Sequence, residues 1–151
     1  MQNTSYLESK ILTAPPHRLH LMLIEGAIRF GKQAEQSLSR GEQVAAATPL
    51  LRMLDIVGEM LAAVREKQSE LNQKLSEVYA YLFRGIAVAK INADVAVLGE
   101  VLKLLEYERQ TWQMLCDKLS EQSSAKAPAP HLAGFESSSN QAAKTGISFQ
   151  A

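Results

Sequence analysis

Residues 13–30 read TAPPHRLHLMLIEGAIRF, and the fold turns on whether this stretch frames a chemical site or opens a helix. Proline is tolerated in the first turn of a helix, where its missing N–H has no partner and its fixed φ already suits the helical path. Pro16 therefore reads as a helix start. From there apolar residues recur three and four apart, through Leu19, Met22, Leu23, Gly26, Ala27 and Phe30 to Ala34 and Leu38. That spacing places side chains on one face of a helix, so His17 and His20 are helix residues and are judged as such.

A second helical pattern follows Arg40-Gly41, with Val44, Ala47, Leu51, Leu54, Val57, Leu61 and Val64 in steps of three and four and Pro49 near its beginning. It stops in the polar run REKQSE, and a third pattern runs through Leu71, Leu75, Val78, Leu82, Ile86 and Ala89. Neither glycine nor proline separates the two. A break with Ser69 as N-cap and one continuous rod from Pro49 to Ile91 both fit the pattern, and ordinary helix length favours the break. Asn92-Ala93-Asp94 marks the next boundary, with Asn92 suited to a left-handed helix end and Asp94 to an N-cap. The fourth helix is expected from Val95 to about Ser120, with Leu98, Val101, Leu105, Trp112, Leu115 and Leu119 on its seam and Glu108 among them. A charge there needs a partner or a route to solvent.

Four amphipathic helices with short polar connections specify an all-α, antiparallel four-helix bundle. Its expected extent is residues 15–121, with residues 1–14 as an N-terminal cap segment. Residues 122–151, rich in Ser, Ala, Gly and Pro, are expected to be a disordered tail.

Composition narrows the function. Sixteen basic residues balance sixteen acidic ones, so no electrostatic surplus recommends nucleic acid or an anionic membrane. Cys116 is the single cysteine, which excludes an internal disulfide and a thiolate zinc cluster. The opening MQNTSYLESK has neither the basic patch nor the apolar core of a signal peptide, and no apolar run approaches the ~20 residues of a membrane span. A cytoplasmic protein without direct membrane insertion is expected.

Catalytic and metal signatures are weak. The Glu-x-x-His pairs of di-iron bundles do not occur. His17 and His20 stand at i and i+3, but no carboxylate at matching spacing completes a ligand set. A histidine-dependent metal or phosphotransfer bundle is the alternative reading. Cys116 lies between Leu115 and Leu119 and suits a packed thiol better than an activated one. GEQVAAATP is not a phosphate loop, and Tyr79, Tyr81, Phe83 and Arg84 lack the basic stripe of a base-stacking platform. No enzyme and no cofactor are expected.

The breadth of apolar surface is unusual. Leu21, Ile24 and Ile28 form a second stripe on the first helix, while Tyr81 and Val88 flank the main stripe of the third, with Phe83 and Ile91 elsewhere on it. Dense packing explains this; so does a groove that receives another helix.

With these elements in place the sequence resembles the FliS family of flagellar secretion chaperones over about residues 6–120. The resemblance rests on Tyr6 and Ile11 ahead of Thr13-Ala14-Pro15, on Leu21-Met22-Leu23 and Glu25-Gly26-Ala27-Ile28, and on Leu75, Tyr79-Ala80-Tyr81 and Arg84. It continues through Ala89, Ile91 and Asp94 to Glu100-Val101, Leu104-Leu105-Glu106, Arg109 and Trp112. Departures are Ile24, where the family commonly has tyrosine, Lys90 in place of asparagine and Glu108 in place of an apolar residue. The resemblance implies a non-enzymatic export chaperone whose partners are the C-terminal segment of flagellin and components of the export gate. It further implies a flagellin-binding set of Tyr6, Ile11, Leu75, Tyr79, Tyr81, Leu82, Arg84, Val88, Lys90 and Ile91, with Tyr6 to Ile11 as a movable cap set off by the prolines.

Overall fold

The structure is a computed structural model that describes residues 13–126. Those residues form α1 (Pro16–Ser39), α2 (Gln43–Arg65), α3 (Glu70–Asn92) and α4 (Val95–Lys126), the all-α architecture that the periodicity specifies. Tyr6, Ile11 and the rest of residues 1–12 lie outside the described residues, as do residues 127–151 of the expected tail.

Local chemistry fixes the ends. Pro15 is extended, Pro16 takes the first helical turn, and the Leu19 N–H donates to the Pro15 carbonyl at 2.9 Å. At the other end of α1, Gly41 has φ +73, its N–H donates to Leu38 O at 3.0 Å, and the Glu42 N–H donates to Ser37 O at 2.8 Å. This paired return of two amides onto the last turn is the Schellman closure. Between α2 and α3 the chain does break: the Asn72 N–H donates to Ser69 Oγ at 3.0 Å, so Ser69 is the expected cap. Asp94 caps α4, with Oδ1 accepting from Ala96 and Val97 at 3.0 and 3.2 Å.

The residue that ends α3 differs from expectation. Asn92 is still helical, and Ala93 takes the left-handed conformation with φ 50. The closing hydrogen bond, from Asp94 N–H to Ala89 O at 3.1 Å, dictates which residue must turn, whatever its intrinsic preference. An L-residue with a Cβ is strained there by about 1–2 kcal/mol. Ala93→Gly is therefore expected to stabilise the protein by about 1 kcal/mol, the relief exceeding the entropy that glycine adds to the unfolded chain; equilibrium denaturation of the two proteins measures it.

One apolar cluster draws on all four helices, including Ile24, Ala27, Leu50, Met53, Tyr79, Leu82, Leu98 and Leu105. The helices approach closely where side chains are absent. A Cβ on Gly31 of α1 would stand 2.5 Å from Leu102 Cδ2 of α4, and one on Gly85 of α3 would stand 2.7 Å from Val101 Cγ2.

Two helix registers differ from the sequence reading. On α1 the second stripe, Leu21, Ile24 and Ile28, is buried together with Gly26, Ala27 and Ala34 of the first, whereas Leu19, Met22, Leu23, Phe30 and Leu38 are half-buried. A helix flanked on two sides buries one whole row and the small residues of the other. On α2 the buried row is Ala46, Leu50, Met53, Val57, Met60 and Val64, while Val44 is 90% and Leu51 48% exposed. Both rows have three-four spacing and share Val57 and Val64, so periodicity alone does not choose between them.

α4 continues past Ser120 to Lys126, making residues 122–126 helical. Nothing in the sequence stops it, since no glycine or proline occurs between Gly99 and Pro128. The chain divides into two units after Trp112. The second contains the continuation of α4, in which Cys116 is buried and Gln113 Nε2 donates to Asp117 Oδ1 at 3.0 Å.

Candidate functional site

The resemblance-derived residues on α3 separate by depth. Tyr79 and Leu82 have no exposed surface, and Leu75 and Lys90 are half-buried. Tyr81 at 56%, Val88 at 42% and Ile91 at 76% are exposed, as is Arg84. Tyr81, Arg84, Val88 and Ile91 follow steps of three, four and three, so they form one outward row on the C-terminal half of α3. Large apolar residues in such a row do not serve the core, which α3 supplies from Tyr79, Leu82, Ile86 and Ala89.

Tyr79 instead anchors a polar cluster inside the bundle. Its hydroxyl lies 2.6 Å from His20 Nε2, and the His20 ring stacks on Trp112 with centroids 4.0 Å apart. The Trp112 side chain also lowers the Tyr79 and Glu108 pKa values against the larger effect of burial. Burial drives the His20 pKa down from 6.5 to about 4. The neutral ring and the phenol share this hydrogen bond, with the tautomer setting which group donates. The same burial, with the Glu108 charge beside it, holds the Tyr79 phenol well above its usual 10. Burial also raises the Glu108 carboxyl, and the Trp112 side chain opposes that shift. Glu108 thus stands half-buried against Trp112. His20 has its Nε2 engaged by Tyr79, which disfavours the metal and phosphotransfer alternative. Among the described residues no group of three or more His, Cys, Asp or Glu side chains is placed to hold a metal ion.

Clefts elsewhere are shallow. A space of about 460 Å³ along the α1–α4 seam is edged by Lys32, Glu35, Lys103 and Glu106, whose charges balance. A second, of about 540 Å³, follows the α2–α3 connection and is lined mainly by polar side chains such as Arg65, Gln68 and Asn72. The first is walled by Ile28 and Leu102 but lacks converging polar groups, and the second lacks apolar walls, so neither is built as a small-molecule site. Among the described residues no helix is long and apolar enough to cross a membrane.

The bundle, its buried seam and its apolar outer row coincide with a family match. The model of the family described as flagellar protein FliS matches residues 1–119. The chain belongs to the FliS family. It is 32% identical over 120 residues to the flagellar secretion chaperone FliS of Salmonella typhimurium, covering 78% of this chain and 89% of that protein. Flagellar secretion chaperone FliSB of Pseudomonas aeruginosa is 29% identical over 108 residues, 70% and 85% of the two chains. FliS of Bacillus subtilis is 26% identical over 110 residues, 73% and 82%. FliS proteins are chaperones and not an enzyme family. In this FliS chain the departure at Ile24 is a wholly buried core position, whereas Lys90 borders the outer surface of α3.

Sequence reasoning placed Leu51 on a core seam and treated Phe83 as lying off the main stripe; both are exposed, at 48% and 36%. It also did not pair His20 with Tyr79, which are 59 residues apart. Helical periodicity shows which face a residue occupies and carries no information on which distant side chain meets it.

Proposed function

We propose that this FliS chain acts in the cytoplasm as an export chaperone: it binds the C-terminal segment of flagellin, keeps it from polymerising and delivers it to the export apparatus. The observation that carries the reading is the outward row of Tyr81, Val88 and Ile91 on α3, apolar surface unused by the bundle in a flagellar chaperone. A segment that is disordered when free and orders on docking gives up part of its interaction energy to that ordering. It is thereby held over a wide surface and released at the export gate without any covalent step. Tyr6 and Ile11 act as the displaceable cap of this surface.

Seeded growth of flagellin filaments tests the proposal. Equimolar chaperone is expected to halt elongation, because the segment it covers is the one by which subunits join. Elongation at an undiminished rate would contradict it.

A further inference from the structure

His20 ties the second turn of α1 to two other helices. Its Nε2 lies 2.6 Å from the Tyr79 hydroxyl of α3, and its ring stacks on Trp112 of α4 with centroids 4.0 Å apart. The turn it holds is otherwise weakly fastened. The first buried side chain of α1 is Leu21, no side chain caps the helix, and no acidic residue occupies its first turn. His17 and Arg18 stand there instead, at the end where the helix dipole is positive.

Protonation of His20 works against this arrangement. An imidazolium donates from both nitrogens and brings a charge into a site where burial, the sole cause of the shift to about 4, favours the neutral ring. The Trp112 face attracts a cation, but less than the water it replaces. On α1 the new charge meets Arg18 and, one turn back, His17, and like charges at that spacing repel. Glu25, the first acidic residue of α1, acts on Arg109 of α4. From α3 the cluster presents the Tyr79 phenol, and from α4 the Glu108 carboxyl, which burial holds toward its neutral form. Among the described residues α2 places no charge that acts on His20. Acid therefore gathers positive charge on the first two turns of α1 with no carboxylate placed to balance it. Ile24, Met53, Leu82 and Leu105 of the apolar cluster do not titrate.

We propose that the His20–Tyr79–Trp112 cluster is an acid-operated latch on the start of α1: protonating His20 releases Pro16 to His20 from α3 and α4 while α2 and α3 stay folded. Such a release is a local opening, of the kind helix ends undergo more readily than the whole domain unfolds. It acts on the turn from which residues 1–12 lead off, and it holds whether or not flagellin is the ligand.

Acid titration of the full chain tests it, followed by fluorescence, far-ultraviolet circular dichroism and amide hydrogen exchange. Trp112 is the single tryptophan, so the emission reports on the cluster. The emission and the exchange of the Leu19 to Leu23 amides are expected to change between pH 6.5 and 4, the window between the ordinary and the folded His20 values. Over the same window the Met53 and Leu82 amides are expected to stay protected and the circular dichroism to stay near its value at pH 7. His20→Gln, whose amide still donates and accepts but does not titrate, is expected to lose the local step. If all three signals move in one coincident transition, acid unfolds the bundle as a whole and the proposal is wrong. If the emission changes while the Leu19 to Leu23 amides remain protected, His20 titrates in place and there is no latch. A local step that survives in His20→Gln belongs to another group and equally overturns it.

Discussion

Tyr79→Ala is expected to destabilise the protein by about 4 kcal/mol, most of the margin of a domain at the low end of the usual stability range. Tyr79 has no exposed surface and heads the largest fully buried side chains. Its removal deletes the ring from the cluster formed with Leu82, Ile86 and Leu105 and leaves a cavity that the helices close only in part. It also strips His20 Nε2 of its 2.6 Å partner. Tyr79→Phe separates the two effects. Keeping the ring and losing only the hydroxyl is expected to cost about 1–3 kcal/mol, the penalty of unsatisfied buried polar groups. Urea unfolding of both variants is the measurement, and a Tyr79→Ala protein as stable as the parent would mean that the side chain is not in the core. Any loss of flagellin binding in Tyr79→Ala is then secondary to the weakened core.

Acidification is expected to remove about 3 kcal/mol of stability through His20 alone. The folded protein holds this imidazole at about 4 against an ordinary 6.5, so the unfolded chain takes up a proton first as pH falls. The stabilisation from keeping His20 neutral is complete above 6.5 and is lost progressively as pH descends from 6.5 through 4, at 1.36 kcal/mol per unit of difference. Glu108 acts with the opposite sign. Its folded pKa is raised above 4.5, so its contribution is fully present below 4.5 and is lost as pH rises through the folded value. His20→Gln should flatten the acid limb of the stability profile over that window, whereas Glu108→Gln should steepen it. A His20 titration by NMR with a midpoint near 6.5 would contradict the packing described for its ring.

The number of helices among the described residues, the prolines at the start of α1 and the Ser69 and Asp94 caps were all legible in the sequence, because each depends on residues within a few positions of one another. The rest depends on neighbours that local pattern does not encode. α2 carries two rows with the same spacing, and only the positions of α1 and α3 select Leu50, Met53 and Met60 over Val44, Ala47 and Leu51. Ala93 takes the left-handed position over the better suited Asn92 because the hydrogen bond to Ala89 fixes the length of α3. The proposed binding face was half legible. The tyrosines and Arg84 stood out as a cluster, but the sequence did not separate Tyr79, sealed against His20 and Trp112, from Tyr81, two residues later on the outside.

The central claim is that this bundle captures the C-terminal segment of flagellin by folding it onto an apolar outer face. Titrating the full chain with that segment while recording far-ultraviolet circular dichroism measures capture and folding together. The account predicts a saturable one-to-one complex whose helical signal exceeds the sum of the separate components. Saturation without added helix would contradict the folding step, and no complex at micromolar concentrations, where a binding free energy of about −8 kcal/mol would suffice, would contradict the claim itself.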